Sequence, residues 1–214
     1  MLELGVKTLI AYLLGSLLGS LVLGRLKGVD IREQGSGNAG GTNALRTQGW
    51  SFALGVIVID VGKALLAVGL LPGLDLPLVG IDPSLARGWL AVACATAVVV
   101  GHVYPVWYEF RGGKGAATLL GAVAVLAPAA LLPVLVVWLG CVMLTGFVGL
   151  GTMLGTLSLP AYFAVARPGD LPLLAFGIVM AVFVVYTHRE NIARMRAGTA
   201  VSYTHLTLPT TILV

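Results

Sequence analysis

Three stretches of this 214-residue chain gather the residue types that hold anions. The first reads Gly35-Ser36-Gly37-Asn38-Ala39-Gly40-Gly41-Thr42-Asn43-Ala44-Leu45-Arg46. Glycines let backbone N–H groups approach an anion closely. Ser36, Asn38, Thr42 and Asn43 add side-chain donors, and Arg46 adds a charged fork. If Arg46 sits in a following helix, the start of that helix also favours phosphate. Glycine content alone would equally describe a flexible loop, but the density of donors argues for a binding loop. The second stretch reads Gly101-His102-Val103-Tyr104-Pro105, then Phe110-Arg111-Gly112-Gly113-Lys114-Gly115-Ala116-Ala117-Thr118. A Gly-Gly-Lys-Gly run ahead of an apolar segment is a phosphate loop in kind. It is not a nucleotide-binding P-loop, because Gly115 follows Lys114 where Ser or Thr is required. On charge alone, Arg111 and Lys114 would only mark topology; the glycines around Lys114 favour anion binding. The third stretch, His188 to Gly198, puts His188 and Asn191 on one helical face, with Arg194 three residues further.

Other chemistries are not supported. His102 and His188 have no cysteine or suitable carboxylate partners nearby, so no metal is expected. There is no Ser-His-Asp arrangement and no nucleophile elbow. Cys94 and Cys141 lie in apolar stretches and read as buried packing residues. Asp60 and Lys63 interrupt an apolar segment three residues apart. A charge there is either paired with its neighbour or functional.

The elements that position these islands are apolar. Hydrophobic residues make up 58% of the chain and charged residues 10%, and mean hydropathy is +0.99. Soluble domains carry about 25% charged residues, so an ordinary water-soluble enzyme is excluded. A disordered chain, which needs low hydrophobicity and high charge, is excluded too. The net charge of +4 suits lipid headgroups or a phosphorylated substrate. Nucleic acid is not expected, since the apolar runs leave little surface for a duplex.

A first helix is expected over Leu9 to Leu23, retained rather than cleaved, because Gly15, Ser16, Gly19 and Ser20 form a small-residue pattern typical of packed membrane helices. Further helices are expected over about Phe52 to Leu71 and Gly88 to Gly101, joined by an acidic, proline-bearing linker from Pro72 to Arg87. The islands at 25–49, 102–115 and 188–198 are basic, so the positive-inside rule puts them in the cytoplasm and the linker outside. The N-terminus is then outside, and an even number of crossings separates Gly115 from His188. About 72 residues fit four crossings of roughly 16–18 residues each. The breaks fall near Pro128–Pro133, Gly146–Gly151 and Arg167–Asp170. The expectation is an all-α integral membrane protein of about seven transmembrane helices with a cytoplasmic C-terminus. Residues 1–200 form one transmembrane domain. Residues 201–214 are uncharged and rich in threonine, have no helical period, and read as a non-native tail that takes His205 with it.

The three islands, in this order and at this spacing, resemble the motifs of the bacterial acyl-phosphate:glycerol-3-phosphate acyltransferases, the PlsY family. The match runs through Ser36-Gly37-Asn38, Thr42-Asn43 and Arg46, then Gly101-His102, Pro105 and Gly112-Gly113-Lys114-Gly115, then His188, Asn191-Ile192 and Arg194 to Gly198. The resemblance implies an inner-membrane enzyme with its active site facing the cytoplasm. It implies transfer of a fatty acyl group from acyl phosphate to the 1-hydroxyl of glycerol 3-phosphate, giving lysophosphatidic acid and phosphate, the first acylation of phospholipid synthesis. No metal or nucleotide cofactor, acyl-CoA donor or obligate protein partner is implied. Ser36, Arg46 and Lys114 correspond to phosphate and oxyanion contacts, His188 and Asn191 to residues that orient the acceptor. The second glycine loop, with His102, Gly112, Gly113 and Gly115, corresponds to the part associated with glycerol 3-phosphate. Gly37, Asn38, Thr42, Asn43 and Arg194 complete the implied substrate contacts. Thr152 stands where relatives carry a substrate-contacting serine, and Ala200 where they carry an acidic residue.

Acyl phosphate already carries a good leaving group, so the expected mechanism needs no strong protein base. The donor's phosphate takes the acceptor proton while His188 positions the hydroxyl. Two rivals remain at this point. A membrane transporter for an organic phosphate would also need basic islands and glycine-broken helices. A purely structural subunit would leave Ser36, Asn38, Thr42, Asn43 and Arg46 without a purpose.

Overall fold

A computed structural model describes residues 1–201. Among these the ordered elements are all helical, joined by turns and short loops. The expectation for 201–214 falls, except at Val201, outside the described residues. Ten α-helices follow in order. They are α1 (Leu2–Gly15), α2 (Gly19–Lys27), α3 (Gly41–Gln48), α4 (Trp50–Leu65), α5 (Arg87–Val103), α6 (Ala116–Leu126), α7 (Leu131–Thr145), α8 (Val148–Ala166), α9 (Leu171–Thr187) and α10 (Arg189–Arg196). α4 continues through a wide turn over Leu66–Leu70 and a tight one over Leu71–Gly73.

The expected single first helix is two. α1 and α2 meet at a 41° bend. A break frees carbonyls and N–H groups that lipid cannot satisfy, and α4 supplies the partners. Lys63 Nζ donates to the Gly15 and Leu17 carbonyls at 2.8 and 3.0 Å. Asp60 Oδ1 accepts from Gly19 N at 3.2 Å and lies 3.0 Å from Lys63 Nζ. The Asp60–Lys63 pairing read from their spacing is therefore present, and it pins the bend.

The breaks after Gly115 fall at Ala127–Ala130, Gly146–Phe147 and Arg167–Asp170. Gly149, Gly151 and Gly155 lie inside α8 rather than at a break, because they serve as contact points. A Cβ on Gly151 would stand 3.0 Å from the Trp138 carbonyl oxygen, and one on Gly155 2.9 Å from that of Val134. The four helices are not of even length: α6 has 11 residues, α7 15, α8 19 and α9 17. By length and hydropathy, four described helices can cross a bilayer unaided, or six if the bent pairs α1–α2 and α9–α10 each count as one.

Close backbone approach holds the bundle, as expected where burial from lipid offers little driving force. A Cβ on Gly15 would collide with the Val98 backbone, and one on Gly101 with the Tyr12 carbonyl. α2 meets α4 at Gly19, where a Cβ would lie 2.7 Å from the Val56 carbonyl oxygen. The first-helix small-residue pattern thus marks real crossings. At the linker end, Glu3 is fully engaged. Its Oε1 accepts from Lys7 Nζ and Arg87 Nη1, and its Oε2 from Arg87 Nη2 and Asp82 N, each at 2.7 Å. Lys7 Nζ also donates to the Pro72 carbonyl at 3.0 Å, so α1, the end of α4 and the start of α5 are tied together.

Candidate functional site

The three islands meet at the opposite end. The first is shaped before any ligand arrives. Ser20 Oγ, on α2, donates to the Ala39 carbonyl at 2.8 Å. Asn43 Oδ1 accepts from Ser36 N at 3.0 Å, while its Nδ2 donates to the carbonyls of Ile31 and Gln34 at 3.1 and 2.9 Å. Asn43 is buried, and its amide hydrogens brace the loop rather than point at an anion. Gly35 and Gly37 adopt positive φ, +58° and +73°, and a Cβ on Gly35 would strike Asn43 Oδ1, so the tight turn requires glycine. α3 starts at Gly41, so Thr42 is in its first turn and Arg46 in its second, as the helix-start argument requires.

Arg32 ties the first island to the second. Its Nη1 donates to the carbonyls of Tyr108 and Arg111 at 3.2 and 3.3 Å, and its Nη2 pairs with Asp30 at 2.6 Å. That guanidinium holds the Asp30 carboxyl below the usual carboxylate range. In the second island, Gly112 N and Gly113 N donate to the carbonyls of Val103 and His102, both at 3.1 Å. This folds the glycine loop back onto the end of α5. Gly113 lies against His102 Nε2, where no side chain would fit. Lys63 Nζ, which can only donate, is 3.0 Å from His102 Nδ1, and Thr118 Oγ1 is 3.1 Å from it.

The third island docks on the second. Thr187 Oγ1 donates to the Lys114 carbonyl at 3.2 Å, and Lys114 Nζ donates to Asn191 Oδ1. Arg194 Nη2 donates to the same oxygen at 3.3 Å. Burial, reinforced by the charge of Arg194, pushes Lys114 down to about 8. His188 sits at the junction of α9 and α10, with Nδ1 2.8 Å from the Val184 carbonyl. That bond needs the proton on Nδ1 and leaves Nε2 as an acceptor.

A cavity of about 340 Å³ lies between the islands. Ser36, Asn38, Thr42, Asn43, Arg46, His102, Lys114, Gly115, Thr152, His188, Asn191 and Arg194 all line it. Gly37, Gly112 and Gly113 instead line an adjoining polar cavity of about 300 Å³, which shares Ser36, Asn38 and Lys114 with the first. The larger cavity has a second, apolar wall from Ile57, Val61, Leu120, Trp138, Phe147 and Leu150. The lining thus combines side chains that can donate to an anion with an apolar surface that could hold hydrocarbon. Thr152 Oγ1 donates to the Val148 carbonyl at 2.9 Å, so its oxygen remains able to accept.

Sequence reasoning posed pairing and function as alternatives for Asp60, and it has both positions, lining the cavity as well as pinning the bend. Other members it missed. Ser20 and Arg32 carry no motif signal, because the carbonyls they hold lie 19 residues away for Ser20 and 76 and 79 for Arg32. Gly149 reads in sequence as punctuation. Here it makes room for Asn191, whose Nδ2 a Cβ would strike.

Comparison with known proteins agrees with this arrangement. The family model described as glycerol-3-phosphate acyltransferase matches residues 6–198. The glycerol-3-phosphate acyltransferase of Chlorobaculum tepidum is 37% identical over 216 residues, covering 89% of this chain and 92% of that one. That of Synechococcus elongatus is 41% identical over 191 residues, covering 89% and 90%. Among solved structures, PlsY, an integral membrane glycerol 3-phosphate acyltransferase, superposes in its glycerol 3-phosphate form with a TM-score of 0.78 at 35% identity, covering 94% of this chain and 95% of that one. Its lysophosphatidic acid form gives 0.77 at 34%, covering 93% and 94%. With its islands gathered around one half-polar, half-apolar cavity in an apolar helical bundle, this chain belongs to the glycerol-3-phosphate acyltransferase family of integral membrane enzymes.

Proposed function

We propose that the protein transfers a fatty acyl group from acyl phosphate to the 1-hydroxyl of glycerol 3-phosphate, releasing lysophosphatidic acid and inorganic phosphate. The convergence of three donor-rich islands on one cavity with an apolar wall carries this reading. Two phosphate-bearing substrates need donors, and an acyl chain needs hydrocarbon. The solved relative named for its glycerol 3-phosphate and lysophosphatidic acid forms supports the acceptor and the product.

In this reading the 1-hydroxyl oxygen attacks the acyl carbonyl carbon, the carbonyl–phosphoryl oxygen bond breaks, and phosphate leaves with the bonding pair. The departing phosphate accepts the hydroxyl proton. Ser36, Arg46 and Lys114 stabilise phosphate and the developing oxyanion, an effect worth about 3–4 kcal/mol for one well-placed donor. Asn191 holds Lys114, and the acceptor nitrogen of His188 orients the hydroxyl. Gly37, Asn38, Thr42, His102, Gly112, Gly113, Gly115, Thr152 and Arg194 contact substrate or shape the loops that do, while Asn43 acts through the loop it braces. Holding both substrates together supplies the orientation.

The membrane arrangement proposed with it is seven crossings over a single domain, 1–200. The seventh is α6, about 16 Å long at 1.5 Å per residue, shorter than the hydrocarbon core. The basic islands put the cavity on the cytoplasmic face of the bacterial inner membrane, the N-terminus outside and the C-terminus inside. The test is an acyl-transfer assay on detergent-purified protein, with labelled glycerol 3-phosphate and either palmitoyl phosphate or palmitoyl-CoA. Lysophosphatidic acid formed only from palmitoyl phosphate is the expected result. Product from palmitoyl-CoA overturns the donor assignment, and uptake into sealed vesicles without product would point to transport.

A further inference from the structure

Asp60 is 1% exposed, and its two carboxylate oxygens have different surroundings. Oδ1 takes Gly19 N at 3.2 Å and Lys63 Nζ at 3.0 Å, with His102 Nδ1 at 3.4 Å. Oδ2 is buried and has no hydrogen-bond partner. A buried carboxylate oxygen without a donor is costly to leave so. It belongs to a residue that lines the substrate cavity, but the oxygen itself is covered by its neighbours, so a substrate group reaches it only when one of them shifts.

The charge pattern of the cavity says what Oδ2 can meet. Ser36, Arg46, Lys114 and Arg194 donate, as phosphate requires, whereas Asp60 is the only carboxylate among the described residues lining it. An ionised carboxylate only accepts hydrogen bonds and repels phosphate. Asp60 must therefore face a part of the substrates that is neutral and carries a donor. Fatty chains and phosphates carry none; the acceptor's hydroxyls do. Of its two hydroxyls, one becomes an ester oxygen and loses its hydrogen. The other keeps its hydrogen from substrate to product.

We propose that Asp60 Oδ2 accepts a hydrogen bond from the 2-hydroxyl of glycerol 3-phosphate and so selects a polyol phosphate over a simple hydroxyalkyl phosphate. This rests on the acyl-transfer reading above. It makes Asp60 a residue with two roles, Oδ1 holding the helix bend and Oδ2 reading the acceptor.

The test compares glycerol 3-phosphate with 3-hydroxypropyl phosphate, which retains a reactive primary hydroxyl and lacks the 2-hydroxyl. The wild-type enzyme, assayed with palmitoyl phosphate, should favour glycerol 3-phosphate by about 100-fold in kcat/KM, as one hydrogen bond to a charged group allows. In Asp60→Asn the preference should fall to within about fivefold. Because the preference is a ratio, the fraction of protein that folds cancels. Should the asparagine variant fold too poorly to assay, Asp60→Glu keeps a charge beside Lys63 but displaces the free oxygen, and it too should lose the preference. Wild-type enzyme that uses both acceptors equally, or either variant retaining the full preference, overturns the proposal and leaves acyl transfer intact. Acylation of neither acceptor by the wild type sinks the acyl-transfer reading and this one with it.

Discussion

The two ends of the bundle each bury a charged cluster, and they are built differently. At the linker end both Glu3 oxygens are saturated, by Lys7, Arg87 and the Asp82 N–H. At the island end Asp60 is saturated on one oxygen and without a partner on the other. Both clusters bind three segments together, so both are structural. The cluster with the unpartnered oxygen is the one whose carboxylate lines the substrate cavity. A closed network can do nothing but hold, whereas one with an unused acceptor holds and also has something left for a ligand.

The comparison breaks most visibly if the cavity's charge is removed. Lys114→Ala should reduce kcat/KM by about 100-fold to 1000-fold, the loss seen when one transition-state donor is removed. The protein should stay folded, since Lys114 Nζ reaches Asn191 across the cavity rather than a buried carboxylate. A small loss would remove Lys114 from the proposed chemistry.

Glu3→Ala tests the other end. It strands Lys7, which is wholly buried, and should lower the detergent Tm by roughly 10 °C. The preference among acceptors should not move. A changed acceptor preference would mean the two clusters are coupled along α1 and are not separate devices.

Gly149→Ala sharpens the picture within the site. Its new methyl must displace the Asn191 amide, which holds Lys114. About a tenfold fall in kcat with little change in Tm is expected, because small misplacements of a positioning group are felt mainly in the rate.

The pH profile is gentler. Burial and the charge of Arg194 bring Lys114 to about 8, so it is charged below that pH and neutral above it. With phosphate binding dependent on the charged form, kcat/KM should decline as pH rises through about 8. The limb should move to higher pH in kcat, because bound phosphate favours the ammonium. A flat profile from pH 7 to 9 would deny Lys114 that role. The smallest effect belongs to the exposed pair Arg167–Asp170, 3.0 Å apart. Arg167→Ala should change stability by under about 1 kcal/mol, measurable by denaturation in detergent.

Much of this was legible in the chain. Composition alone required a membrane bundle, since 10% charge cannot keep 58% hydrophobic residues in water. The islands stood out because most of the chain's basic residues fall in them, beside closely spaced glycines and side-chain donors, and their order carried the family resemblance. Breaks at Gly146 and Arg167–Asp170 were readable from glycine, proline and charge.

What the tertiary structure decided are relations between distant residues. The bend between α1 and α2 depends on Lys63 reaching carbonyls 46 and 48 residues away, and no local pattern in Leu9–Leu23 encodes that. Asn43 looked like one more donor until its partners, Ile31 and Gln34, turned it into a brace. Asp60 looked like a paired charge, and it is, but only packing could leave its second oxygen buried without a partner on a residue that lines the cavity. Residue types determine what a group can donate or accept. Which of those capacities is already satisfied depends on the fold, because buried polar atoms take their partners from wherever the chain brings them.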